Sequence, residues 1–239
     1  MRPRALAFDV FGTVVDWRSS VIAELKAFGR RHDAHRDWAA VADSWRAGYV
    51  PAMDQVRRGE LPWMTIDDLH RMILVELLEA VGLDSVGDDE VDHLNRAWHR
   101  LDPWPDSIAG LERLKQQYLI TTLSNGNVSL LTNMAKRAGL PWDCVISAEL
   151  FRHYKPDPEA YLGCAELLDV APAELMLVAA HPADLRAARS AGLLTAYVPR
   201  PLERGPRRLP HRVDGDEFDL TATDFLDLAD KLGGRSVGS

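Results

Sequence analysis

Ala5-Leu6-Ala7-Phe8-Asp9-Val10-Phe11-Gly12-Thr13 is the stretch that decides the fold. Residues 5–10 form a short apolar run that reads as a buried strand, with a carboxylate near its end. Phe11-Gly12-Thr13 reads as the turn that follows, with Gly12 letting the backbone fold tightly behind Asp9. A carboxylate at an apolar strand end costs free energy unless it is hydrogen-bonded or paired. Asp9 is therefore either a turn cap or part of a site, and Thr13 can donate a hydroxyl hydrogen bond to it.

A long helical region follows over residues 18–101. Val21, Ile22, Leu25 and Phe28 share one face, and Leu69, Met72, Ile73, Leu77 and Ala80 do so more strongly. Thr65 with Asp68 predicts an N-cap for that second helix. Val91, Leu94, Trp98 and Leu101 mark another helix. Pro103-Trp104-Pro105 breaks the pattern and reads as a stiff return linker. Beyond it the elements alternate. Helices are expected at 106–116, 128–138 (ended by Gly139), 158–168 and 183–191, and strands at 118–123, 143–147, 175–180 and 194–198. Such alternation predicts a doubly wound parallel sheet with right-handed crossovers, interrupted after its first strand by a helical cap. The expected core is residues 1–15 and 103–239, and the expected cap is 16–102.

Composition narrows the function. The 239 residues carry 36 Asp+Glu against 28 Lys+Arg, a formal charge of -8, which argues against nucleic acid as a partner. Two cysteines, Cys144 and Cys164, make no disulfide framework and suggest a reducing compartment. The first apolar run is too short for a signal-peptide core. No stretch reaches the roughly 20 apolar residues that span a bilayer. The expectation is a soluble cytoplasmic protein, with oligomeric state left open and a homodimer allowed. Arg200, Arg204, Arg207, Arg208 and Arg212 lie among prolines in a segment that reads as a solvated loop.

Ligands of an open α/β sheet bind beyond the carboxyl ends of the strands. Asp9, Ser124-Asn125-Gly126-Asn127, Lys155 and the run His181 to Asp184 all fall at such ends. Segments this far apart converging on one rim form a constellation.

Asp-Val-Phe-Gly-Thr at 9–13, Ser-Asn-Gly at 124–126, Lys-Pro-Asp-Pro at 155–158 and Asp184 resemble, in order, the motifs of the haloacid dehalogenase superfamily. The resemblance implies that Asp9 is a nucleophile in a Rossmann-like core with an inserted cap. Phosphatases of that superfamily carry a second Asp two positions after the nucleophile, where this chain has Phe11. They also carry a Gly-Asp pair where this chain has Ala179 and Ala180, and alanine offers a hard cation no ligand. Neither group is needed to expel a halide.

The other residues resemble the type II, L-2-haloacid dehalogenase branch. That likeness implies a 2-haloacid substrate, a halide product, and no metal or organic cofactor. By it, Arg46 and Asn125 receive the halide, Tyr161 and Phe11 belong to the substrate site, Ser124 and Lys155 hold substrate or nucleophile, and Asp184 activates water. Each residue also has a plainer reading: Arg46 as a surface helix arginine, Tyr161 as core, Ser124 as a helix cap, Asp184 as an N-cap. Trp17 and Trp63 read as pocket walls or, better, as packing between cap and core. Ala-Ala-His-Pro-Ala-Asp at 179–184 departs from the branch pattern Ser-Ser-Asn-x-Trp-Asp. His181 there reads three ways: as a neutral ring that orients water, as a cation that favours ionised Asp9 or Asp184, or as structure. Other hydrolases of the same fold, and a non-catalytic binding module, are the competing functions.

Overall fold

Strands β1 (Ala5–Phe8), β2 (Val15–Asp16), β3 (Asp102–Pro103), β4 (Leu119–Thr122), β5 (Leu175–Ala179), β6 (Leu194–Tyr197) and β7 (Leu220–Thr221) form two sheets in the computed structural model, which describes residues 3–206 and 217–234. The main sheet has the order β4-β1-β5-β6-β7, and its strand pairs are parallel. Successive side chains of a strand point to opposite faces. Leu6, Phe8, Met176 and Val178 accordingly join one apolar cluster, while Ala5, Ala7, Leu175 and Leu177 join another. Both faces are covered, as a doubly wound parallel sheet requires.

β1 pairs with β4 on one side and β5 on the other. The chain thus winds away from β1 in both directions, which opens a crevice at its carboxyl end. Asp9 stands at that point, its N–H bonded to the Val178 carbonyl at 3.0 Å.

Helices α1 (Trp17–Arg31), α2 (Trp38–Arg57), α3 (Ile66–Ala80) and α4 (Asp88–Asn95) and a 3-10 turn at Arg96–Arg100 lie between β2 and β3. Thr65 and Asp68 form the capping box that starts α3. β2 and β3 pair antiparallel, so the insertion leaves and returns through one narrow ribbon. The return at 103–105 is a strand end and a tether, since Trp104 Nε1 donates to the Gly12 carbonyl at 3.0 Å. Trp98 stacks on Trp17 and meets Phe11 edge-on, so the insertion and the sheet share one apolar cluster. A polar clamp adds to it. Asn127 Nδ2 donates to Asp67 at 2.9 Å, and the Asp67 N–H donates back to Asn127 Oδ1 at 3.2 Å.

Helices α5 (Ser107–Lys115), α6 (Val128–Ala138), α7 (Pro158–Leu167), α8 (Pro182–Ser190) and α9 (Phe225–Gly233) complete the layers. Tyr161 and Cys164 of α7 and Leu185 and Ala188 of α8 cover one face of the sheet. Leu111 and Leu114 of α5, Leu130 and Met134 of α6, and Phe225 and Leu228 of α9 cover the other.

Two expectations are corrected. Residues 143–147 do not form a strand. They run beside β4 and the residues that follow it, with isolated bridges from Cys144 to Thr121 and from Ser147 to Ser124. Backbone bonds remain only at the segment's ends, from the Asp143 N–H to the Ile120 carbonyl and from the Ala148 N–H to the Ser124 carbonyl, and between them Thr122 Oγ1 donates to the Ile146 carbonyl at 2.7 Å and accepts from its N–H at 3.0 Å. Arg200 is not part of a solvated loop. Its side chain is largely covered, forks onto Asp106 at 2.7 and 2.9 Å and donates to the Thr13 carbonyl. Arg204 is exposed, and Arg207, Arg208 and Arg212 lie outside the described residues. Cys144 and Cys164 are unbridged. Among the described residues, no helix is long and apolar enough to cross a membrane.

Candidate active site

Gly12 adopts φ +83°, a conformation that costs glycine nothing, and a Cβ there would collide with the Glu203 carboxylate. The turn therefore closes tightly under Asp9. Thr13 Oγ1 donates to Asp9 Oδ2 at 2.6 Å and accepts from the Ala180 N–H at 2.9 Å. The second bond leaves the hydroxyl proton aimed at the carboxylate.

Lys155 reaches Asp9 from the opposite rim. Asn125 positions it, accepting from the Lys155 N–H at 2.6 Å and donating to its carbonyl at 3.2 Å. The buried ammonium then donates to Asp9 Oδ1 at 3.1 Å and to Asp184 Oδ2. Asp184 sits in the first turn of α8, whose N-cap is His181, and accepts from the Tyr161 hydroxyl at 2.6 Å. His181 places Nδ1 2.9 Å from Asp9 Oδ2 and Nε2 3.1 Å from both oxygens of buried Glu203. Trp17 Nε1 donates to Glu203 as well, at 3.1 Å.

Charge follows from these contacts. Burial pushes the Asp9 carboxyl up, but Lys155, His181 and Thr13 outweigh it and hold the group well below the usual carboxylate range. Burial pulls Lys155 down, and Asp184 and Asp9 more than reverse that. For His181, burial opposes the charge, but the bonds to Asp9 and Glu203 raise it to about 10. The ring is thus an imidazolium at neutral pH, which disfavours the neutral-ring reading. Burial pushes the Glu203 carboxyl up, but His181 and Trp17 outweigh it and hold the group below its usual range. Burial and Asp184 push the Tyr161 phenol up, so it stays a donor.

A chamber of about 210 Å³ opens above Asp9, lined by Phe11, Arg46, Tyr49, Met53, Ser124, Asn125, Lys155, His181 and Asp184 among others. It is smaller than the roughly 300–1,000 Å³ typical of drug-sized ligand pockets. Arg46 lies over the Tyr49 ring at 4.3 Å and near Trp17 at 5.8 Å. Ser124 is buried on the wall, its Oγ accepting from the Gly126 N–H.

The fold thus brings together Asp9, Thr13, Lys155, His181, Asp184 and Tyr161 in one bonded network, with Phe11, Arg46, Ser124 and Asn125 around the chamber. Tyr161 stands behind Asp184 and does not line the chamber. Trp17 and Trp63 do not line it either, and Trp63 stacks on Tyr154. Glu203 and Tyr49 were not foreseen. Tyr49 follows Arg46 by one helical turn, a spacing that could have found it. Glu203 gave no such signal.

A family model described as haloacid dehalogenase-like hydrolase matches residues 3–192. The chain belongs to that family. Within it, the likeness is to L-2-haloacid dehalogenases. A solved defluorinating L-2-haloacid dehalogenase is 47% identical, with a TM-score of 0.94 over 97% of this chain and 95% of its own. A second solved L-2-haloacid dehalogenase is 48% identical, with a TM-score of 0.90 over 96% and 99%. The (S)-2-haloacid dehalogenase of Xanthobacter autotrophicus is 28% identical over 82% of this chain and 75% of its own. In this haloacid dehalogenase-like chain the positions five and four before Asp184 are the buried alanines Ala179 and Ala180.

Proposed function

We propose that the chain hydrolyses short 2-haloalkanoic acids to 2-hydroxy acids through an ester on Asp9. One observation carries the reading: an ionised, anchored carboxylate shares a small chamber with Arg46, which forms no direct ion pair among the described residues and is felt by Glu203 only through its charge. Such an arginine is a ready receptor for a departing anion.

Asp9 attacks Cα opposite the halogen, the C–X electron pair leaves with the halide, and the carbon inverts. Water then adds to Cγ of Asp9, and the 2-hydroxy acid departs. Covalent catalysis splits one slow displacement into two easier steps. Arg46 and the chamber edge of Asn125 take the halide. Ser124 and Lys155 face the substrate carboxylate, Phe11 packs against its apolar part, and Asp184, fixed by Tyr161 and Lys155, takes a proton from the attacking water. The Lys155 ammonium already bridges Asp9 and Asp184, and Ala179 and Ala180 offer no ligand. This donor set suits an ammonium better than a divalent ion, so we propose a reaction without metal or organic cofactor.

Halide release from 2-chloropropionate should persist in EDTA, and many turnovers in ¹⁸O-water should label Asp9. Loss of release in chelator, or label confined to the product, would sink this reading. Arg46→Lys should lower kcat/KM on the order of 10- to 100-fold, because lysine keeps the charge but not the planar donors. Unchanged kinetics would remove Arg46 from the halide site.

A further inference from the structure

The two oxygens of Asp9 are not equivalent. Oδ2 accepts from Thr13 at 2.6 Å and faces His181 Nδ1 at 2.9 Å, so both of its lone-pair directions are taken. Oδ1 meets Lys155 at 3.1 Å and keeps one direction free. Oδ1 is therefore the oxygen that can attack carbon. Once it is alkylated, Oδ2 becomes the ester carbonyl oxygen and still has its two donors. Donors fixed where charge will develop need no reorganisation when it does.

Resting on the proposed ester chemistry, we infer that Asp9 Oδ2 is a pre-set carbonyl whose oxyanion is held by Thr13 and His181 during hydrolysis, with Glu203 as the positioning residue behind His181. Water adds to Cγ, and the carbonyl electron pair moves onto Oδ2. The tetrahedral centre collapses, the Cγ–Oδ1 bond breaks, and Oδ1 leaves as the product hydroxyl, carrying one proton of the water. The other proton goes to solvent, and the water oxygen stays on Asp9.

Glu203 fits this role because both its oxygens face His181 Nε2 and Trp17 Nε1 also donates to Oε1. In the free enzyme, Asp9 and Glu203 share the charge on His181. After esterification Asp9 is neutral, and Glu203 alone keeps the ring protonated. The other charged groups around the chamber are Lys155, Asp184 and Arg46. Lys155 is pushed up and stays charged throughout the range tested.

The test is rapid-quench kinetics with 2-chloropropionate. Glu203→Gln should release the first equivalent of halide at the wild-type rate and then turn over on the order of 10-fold more slowly, since it weakens one oxyanion donor. Mass spectrometry of the quenched enzyme should show ester on Asp9. Glu203→Asp should restore turnover in part. In the wild type, hydrolysis of the ester should fall at high pH, with a midpoint between the ordinary histidine value of 6.5 and the free-enzyme value of about 10. Glu203→Gln should move that midpoint down. A variant without burst or ester, slowing of both steps in parallel, or a midpoint that does not move would overturn the inference. Should Glu203→Gln fail to fold, the wild-type profile decides, and hydrolysis that rises steadily through pH 10 would refute it. If the wild type releases no halide at all, it is the proposed function that fails.

Discussion

Asp9→Asn should lower halide release by on the order of 10⁴ or more, because the amide is nearly isosteric and a poor nucleophile. The fold should survive. Lys155 keeps Asp184, and His181 keeps Glu203, so neither cation is stranded. Stability should nevertheless change its pH dependence. The folded-state Asp9 carboxyl lies below its unfolded value of 3.8, so its contribution is present above that value and lost as pH falls through the folded one. Acid unfolding of Asp9→Asn should therefore lack the part that comes from protonating this group. Halide electrode assays and circular dichroism would check both. A variant that keeps a tenth of wild-type release would remove Asp9 from the reaction.

Lys155→Met should damage stability as well as activity. The ammonium lies between two carboxylates, and methionine would leave Asp9 and Asp184 facing each other without it. Breaking a buried pair by removing one partner costs about 3–5 kcal/mol. For a chain of this length that is roughly 6–20 °C in Tm. The sign can be checked. Acidifying toward pH 5 should recover part of the loss, because one of the two crowded carboxyls then takes a proton. Calorimetry at two pH values would test this, and a Tm within two degrees of wild type would contradict the bridging role.

The sheet was largely legible because its strands are apolar runs set between helical periods. The exception at 143–147 is instructive. A segment bonded through threonine hydroxyls has the same pattern as one bonded through a ladder, so sequence cannot tell them apart. β2, β3 and β7 are two residues each, too short for any period to show. Asp9, Ser124, His181 and Asp184 were legible because they follow strand ends, where topology gathers them, whereas Arg46 on α2 and Tyr161 on α7 were reached only through the family resemblance. Glu203 was not, since its burial depends on the path of a loop whose arginines and prolines read as solvent-facing. The charge of His181 was illegible for the same reason, because it depends on Glu203.

The pairing of β1 has a consequence for biosynthesis. This strand leaves the ribosome well before its neighbours, which begin at Leu119 and Leu175. Long loops must close before those pairings form, which makes such contacts late ones. The cations that make Asp9 tolerable in the interior, Lys155 and His181, arrive with the same late segments. A nascent chain therefore keeps this carboxylate in water until its counter-charges have been made, and Asp9 meets its cations in the same event that buries it.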